Sequence, residues 1–487
     1  MKKTTLLFNI SAIAILSVLF TACSGSSSEN GDNQAALSAF LSNNENVVAF
    51  GSTHIKDVLD KSDYKSIPNF GEIIEGEITS WNSLLDIEAP VYYALEGPLD
   101  REGAPEAVYA FVKVRNADSL KVKLTKDGYD FEEKDGISIL QDEDLAAGFK
   151  GQLAILLVQG GDVDRSKLIT EAFDRAGGDA SGGKVDEILG SEGDIVFGMN
   201  IENLYATSDT DLADLSEDKQ EELKEMVAGS FVQTSFKFEE GAAIIETKNL
   251  FSEALMDRMF IKENGNEVIA KLGHGKARFG LAVNVDFKKM QSFADEFSPN
   301  AMNELTRSMG AAVQMAMMTA GPDGLSGLFT GEMGMVMFGD PDMYGATTPD
   351  VNFFLGLTSN GSALGKMAKE FLMYTMEEVD VTNNGLSGST NVEFMSRGDI
   401  QAPSGNGLAF GESGISGFIT FDGLDMDEFD LSGEENLLRV VEYVTFSYGN
   451  EGGQIYIKAK KGQENVLKQI MTVLIEELAS ELTGFSM

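Results

Sequence analysis

Alternating apolar and polar residues that give way to helix-capping side chains recur along this chain. The stretch "NVVAFGSTHIKDVL" (46–59) alternates as a half-buried strand and then opens a helix at Thr53. The same order appears in "DIVFGMNIENLY" (194–205), "RFGLAVNVDFKKM" (278–290) and "GFITFDGLDMDEF" (417–429). In each, β-branched or aromatic residues yield to Thr, Asn or Asp, whose side chains cap helices.

A second pattern also repeats. "VYYALEG" and "AVYAFVKVRNADSLKVKL" (91–97 and 107–124) match "GMVMFGD" and "VNFFLGLTSNGSALGKMA" (334–340 and 351–368) as two strands, a turn and a following helix. "FVQTSFKFEEGAAIIETKNL" (231–250) and "VTFSYGNEGGQIYIKAKKGQENVL" (444–467) are further versions. "EEKDGISIL" (132–140) and "LAAGFKGQLAILLVQGG" (145–161) add hairpin material, and "LAFGESGISGFITFDG" (408–423) reads as the late counterpart of the second. The spacing predicts an α+β fold: antiparallel sheets with helices packed on one face, in two related halves in tandem. The expected halves are residues 45–268 and 269–487, joined near the Gly-rich "KLGHGKARFG".

The first 44 residues follow neither pattern. Lys2 and Lys3 precede an apolar run from Leu6 to Phe20 that is too short to span a bilayer, so residues 1–22 read as a signal peptide. The next residue, Cys23, is the only cysteine in 487. "FTAC" resembles the bacterial lipobox, in which a small residue precedes a Cys that receives acyl chains, although Phe20 stands where Leu is usual. The resemblance makes Cys23 the lipid-attachment residue and the bilayer a partner through it. Several acyl chains on one residue hold where a single chain holds only marginally. Residues 23–44 are expected to be the lipidated Cys and a flexible tether, because the tract after Cys23 is rich in Ser, Gly and Asn. The expected location is the cell envelope as an outer-membrane lipoprotein, with the periplasmic face and the cell surface both open.

Composition narrows the classes. The chain carries 37 basic and 78 acidic residues, a net charge of −41, which argues against nucleic-acid binding. A body without Cys forms no disulfide, so its stability must come from burial of its 43% hydrophobic residues. The order of segments resembles uncharacterised lipoproteins of Bacteroidota built from a domain of unknown function. The likeness rests on "NVVAF", "VYAFVKVRNADSL", "EEKDGISIL" and "FKGQLAILLV", and it implies an α+β fold and an envelope location but no activity.

No chemistry-bearing motif is complete, so no catalytic, metal-ligating or cofactor-binding residue is assigned. "GDASGGKV" (178–185) departs from a phosphate-cradling loop at Val185 and follows a helical segment instead of a strand. Only His54 and His274 could serve as imidazole bases, and "GLSG" (324–327) and "GISG" (414–417) lack nucleophile-elbow spacing. "DGLDMDEFD" (422–430) and "SDTDLADLSED" (208–218) lack the third ligand and the Gly of a calcium loop, with Phe429 and Ala213 in the third slot. They read as acidic helix starts. The single Trp81 argues against a rich aromatic sugar platform, and its helical spacing with Leu84 and Leu85 predicts a core-facing or half-buried role. Met302, Leu305, Met309 and Val313 fall on one helical stripe, which Met315, Met317 and Met318 widen into a soft apolar face or a thioether set for copper. The expected role is therefore non-enzymatic binding or scaffolding, with an envelope protein or a glycan as partner. The alternatives are an envelope hydrolase using carboxylates and a carrier of an apolar ligand.

Overall fold

The computed structural model describes residues 32–66, 70–100, 103–141, 145–158, 164–180, 182–207, 215–298, 321–339, 349–395, 399–422 and 433–484. The signal segment, Cys23 and the methionine stripe at 302–318 lie outside the described residues. The chain forms two compact units, Met1–Thr210 with Val227–Phe251 and Lys461–Met487, and Asp211–Met226 with Ser252–Lys460. These bounds differ from halves split at 268/269, because "KLGHGKARFG" falls inside the second unit and the C-terminal segment returns to the first. The fold is α+β with antiparallel sheets.

In the first unit the strands are β1 (Val47–Thr53), β2 (Val91–Leu99), β3 (Pro105–Lys113), β4 (Glu132–Lys134), β5 (Ile137–Gln141), β6 (Leu145–Lys150), β7 (Leu153–Val158), β8 (Ile195–Asn200), β9 (Phe231–Glu239) and β10 (Ala242–Leu250). Their pairings run β4-β5-β6-β7-β3-β2-β1-β8-β9-β10, antiparallel throughout. β1 sits centrally and is buried along its whole length. Its helix neighbours are α1 (Asp32–Ser42), α2 (Ile55–Ser62), α3 (Phe70–Asn82), α4 (Ala117–Lys126), α5 (Arg165–Ala176), α6 (Lys184–Leu189) and α7 (Ile201–Thr207).

α1 shortens the expected tether. Its Ala36, Leu37, Phe40 and Leu41 form one apolar stripe, and Phe40 packs its ring 5.0 Å from Tyr109 and 5.3 Å from Phe111. The polar tract that precedes it in sequence ends where this stripe begins, so the segment expected to be flexible to residue 44 is helical over Asp32–Ser42, with Asn33, Gln34, Ala36, Leu37, Ser38, Ala39 and Phe40 buried.

α1, α5 and α6 cover one sheet face through Phe50, Tyr92, Tyr109, Phe111, Ile139, Ile155 and Leu157. α4 lies on the reverse face, where Leu120 and Leu124 meet Val114, Leu140 and Ala154. The opposite parity of Ile155 and Ala154 on β7 puts each helix on its own side. Local chemistry starts these helices: Asn116 caps α4 through the Ser119 N–H at 2.9 Å, and Asp164 caps α5 through the Lys167 N–H at 3.0 Å. Asp135 and Gly136, both at positive φ, close the β4–β5 hairpin.

The second unit starts with α8 (Glu217–Val227), nearly all of which belongs to it, followed by α9 (Glu253–Met256) and α10 (Asn266–Ile269). Next come β11 (Gly275–Asn284), α11 (Phe287–Phe297), β12 (Phe329–Phe338), β13 (Asp350–Leu357), α12 (Ser362–Leu372), β14 (Glu378–Thr382) and β15 (Gly385–Ser389). The two-residue β16 (Ile400–Gln401), β17 (Ile415–Thr420), β18 (Val441–Gly449) and β19 (Gly452–Ala459) complete it. The main order is β14-β15-β13-β12-β11-β17-β18-β19, again antiparallel, and β16 runs parallel beside the start of β11.

The two orders superimpose as a pattern. β11 takes the place of β1, the β12–β13–α12 run that of β2–β3–α4, and β17–β18–β19 that of β8–β9–β10. The difference is the β6–β7 hairpin, which stands between β5 and β3 in the first unit, whereas β15 pairs with β13 directly in the second. Two added strands leave the antiparallel alternation intact, so a hairpin can be accommodated where a single strand could not. "LAFGESGISGFITFDG" therefore has no β6–β7 counterpart. Its single strand β17 pairs with β11 and β18, in the place of β8.

The C-terminal helix α13 (Val466–Gly484) belongs to the first unit. Its Met471 and Ile475 pack with Leu59 of α2, Tyr64 and Ile78 of α3. The β9–β10 turn guides the chain there, since Gly241 donates its N–H to Glu464 O at 2.9 Å and Asn465 Nδ2 donates to Phe238 O at 3.1 Å.

Candidate functional site

A cleft of 460 Å³ lies between α2 and α3 of the first unit. α2 contributes Lys56, Leu59 and Asp60, the turn after it Tyr64 and Lys65, and α3 contributes Glu75, Ile78, Thr79 and Asn82. Ser83, Ile87, Glu88 and Arg115 complete the wall. Leu59 and Ile78 are part of the same apolar cluster that seats α13, so the hydrophobic packing that orders the helices also forms the floor.

Most charges in the cleft are engaged in ion pairs. Lys56 meets Asp60 one helical turn on at 2.6 Å, and Lys65 meets Glu75 at 2.9 Å, which fastens the turn to α3. Arg115 bonds Asp86 at 2.8 Å. The Asp60 carboxylate beside it holds the Lys56 ammonium above its ordinary value, and burial raises the Tyr64 phenol. The exception to this pairing is Asn82, whose Oδ1 is buried without a hydrogen-bond partner. A buried carbonyl oxygen left unpaired is unfavourable by about 1–3 kcal/mol.

The residues singled out from sequence are dispersed. His54 stands at the N-cap position of α2 without a side-chain capping bond, and His274 lies in the turn before β11, where its backbone N–H donates to Phe394 O at 3.1 Å. Ser52 and Thr53 are buried in β1. Lys184, the lysine of the near-miss phosphate loop, donates to the carbonyls of Gly229 at 2.8 Å and Leu250 at 3.0 Å. Glu217 and Asp218 occupy the first turn of α8, as acids at a helix start. Asp422 reaches Lys276 at 3.7 Å, while residues 423–430 lie outside the described residues. Trp81 is half-buried against Leu84, Val114 and Leu120, with Lys123 Nζ 4.5 Å above its ring.

Among the described residues, the carboxylates whose pKa is shifted are Asp63, Glu133, Glu296 and Glu464. A lysine hydrogen bond holds each below the usual range, a state suited to ion pairing and not to proton donation. Among the described residues no three of His, Cys, Asp and Glu converge as a metal site, and no helix is long and apolar enough to cross a membrane. A second cavity in the first unit, 160 Å³, is lined by Leu41, Val47, Phe50, Phe231 and four neighbours. Sequence reading missed the cleft, because Lys56, Glu75 and Asn82 carry no motif spacing. The only available signal was the amphipathic "HIKDVLDKSDY" that builds one wall.

No protein-family profile and no curated protein matches the chain. Among solved structures, crystal form I of TP0453 overlaps with a TM-score of 0.27 at 8% identity, covering 46% of this chain and 80% of that one. Crystal form III of TP0453 gives 0.28 at 8% identity, covering 47% and 82%. Overlap this loose carries no conclusion about fold or role.

Proposed function

We propose that this is an envelope lipoprotein, anchored by acyl chains on Cys23, that binds a neutral, hydroxyl-rich glycan in the cleft between α2 and α3. The observation that carries the binding role is the cleft lining. On the wall Lys56, Lys65 and Arg115 are balanced in number by Asp60, Glu75 and Glu88, so the site presents hydrogen-bonding groups over an apolar floor without a net charge of either sign. A charged ligand would have to displace ion pairs already formed, whereas a neutral glycan adds hydrogen bonds to them. Thr79 and Ser83, both exposed on the wall, supply hydroxyls that can donate to and accept from a sugar. The resemblance to Bacteroidota lipoproteins of unassigned role agrees with the envelope location. Saturation-transfer NMR against a panel of defined neutral oligosaccharides, with charged oligopeptides as comparison, tests the reading. Binding of at least one neutral glycan, weakened about tenfold by Thr79→Ala with Ser83→Ala, is expected from the loss of their hydrogen bonds. Preference for the charged peptides, or glycan binding unaffected by that pair, contradicts it.

A further inference from the structure

The smaller cavity of the first unit forms where three helix ends meet the sheet. Leu41 comes from the end of α1, Val47 and Phe50 from β1, Val185 from the start of α6, Asn200 from the end of β8 and Phe231 from β9. Protein interiors leave few voids larger than a water molecule, and an apolar one of about the 160 Å³ found here accommodates a benzene ring. Local sequence accounts for the gap. α6 is a helix of six residues that starts after Gly182 and Gly183, both at positive φ, and a Cβ at Gly183 would meet nothing within 4 Å. Val185 stands where a phosphate-cradling loop needs a hydroxyl, and here it is an apolar wall. Lys184, the lysine of the same stretch, fastens the start of α6 to the Gly229 and Leu250 carbonyls.

We propose that this cavity binds a small neutral aromatic alcohol, with its ring against Phe50 and Phe231 and its hydroxyl at Asn200. The lining selects that class. The Phe50 and Phe231 rings lie 6.1 Å apart at 76°, an edge-to-face corner that a third ring completes. Leu41 and Val185, half-buried against the same core cluster, supply the remaining hydrocarbon. No charged side chain is among the described lining residues, so an ionised ligand would lose water without meeting a counter-charge. Asn200, Asn203 and Ser42 give the cavity one polar side, and Ser42 is exposed there, which keeps a path to solvent. Asn203 commits its Nδ2 to Val47 O at 2.9 Å. Asn200 accepts the Asn203 backbone N–H on its Oδ1 at 3.2 Å, which leaves Nδ2 as the donor it offers to a ligand oxygen. The site shares no lining residue with the α2–α3 cleft, so this proposal and the glycan reading can fail separately.

Calorimetric titration of the full chain at neutral pH with phenol, and with benzoate as the ionised counterpart of the same ring, tests it. Phenol is expected to bind saturably, and benzoate at least about tenfold more weakly, because its carboxylate finds no cation in the site. Val185→Phe puts a ring of the chain's own into the cavity and should abolish phenol binding. Asn200→Ser keeps an oxygen able to cap the Asn203 N–H but removes the amide donor, so it should weaken phenol about tenfold. The second variant carries the test if the first fails to fold, and thermal melting without ligand establishes that each is native. Absence of saturable phenol binding, equal binding of benzoate, or affinity indifferent to Asn200→Ser or to a folded Val185→Phe overturns the proposal.

Discussion

Asp194 joins the helix that builds one wall of the cleft to the sheet, and its replacement separates two energetic terms. It is 4% exposed, accepts hydrogen bonds from Lys61 of α2 at 2.7 and 3.0 Å, and accepts the backbone N–H of Phe238 on β9. Asp194→Ala removes both acceptors. The Lys61 ammonium keeps partial access to water, so losing that pair costs about 1 kcal/mol. The buried Phe238 N–H is left unpaired, which costs about 1–3 kcal/mol more. The expected loss is roughly 3 kcal/mol. Asp194→Asn retains an acceptor for Phe238 and gives up only the charge on Lys61, so it should cost about 1 kcal/mol. Trp81 is the only tryptophan and lies in the first unit, so urea unfolding followed by its fluorescence reports this unit selectively. Equal losses for the two variants at unchanged m-value would refute the reasoning, because the backbone term would then contribute nothing.

Gly241 has φ +67°, and a Cβ there would fall 2.6 Å from Gly462 Cα, so Gly241→Ala should cost about 2 kcal/mol or more by Trp81 fluorescence melting and render the α13 segment sensitive to protease. A methyl group at Gly148 would meet Ile169 Cγ2 at 2.5 Å and Phe173 Cε2 at 2.6 Å, so Gly148→Ala should destabilise the α5 contact by about 1–3 kcal/mol; a neutral result would show that α5 shifts freely. The hydrogen bond from Lys219, helped by Arg258, holds Glu296 below its ordinary 4.5. Its contribution is complete above that value and lost as pH falls through the depressed one, so Glu296→Gln should flatten the decline of melting temperature between about pH 5 and pH 3, and an unchanged slope would contradict the pairing.

Much of the architecture was legible where local chemistry and periodicity agree. The alternation of "VYAFVKV" and the Asn116 cap mark a strand and its helix without tertiary information, and Asp135–Gly136 marks a hairpin. The bounds of the units were not legible. α13 reads as an amphipathic end to the second half, and its return to the first unit depends on contacts with Leu59 and Tyr64 that no local pattern encodes. α1 was obscured by the polar tract upstream, although Leu37 and Phe40 carry its stripe. The two late candidates for "LAILLV" and "IVFGMN" could not be separated, because "ISGFIT" fits either until its partners β11 and β18 are known. The cleft escaped notice for a related reason: its charges pair within and between neighbouring segments, and spacing alone cannot distinguish them from any solvated helix face.

The claim on which location and role depend is that acyl chains on Cys23 hold this acidic body at a bilayer. Metabolic labelling with palmitate, comparing the native chain with Cys23→Ser, tests it most directly. The account predicts label in the native protein and recovery in the membrane fraction, with both lost on substitution. An unlabelled native chain, or label that persists in Cys23→Ser, would contradict it.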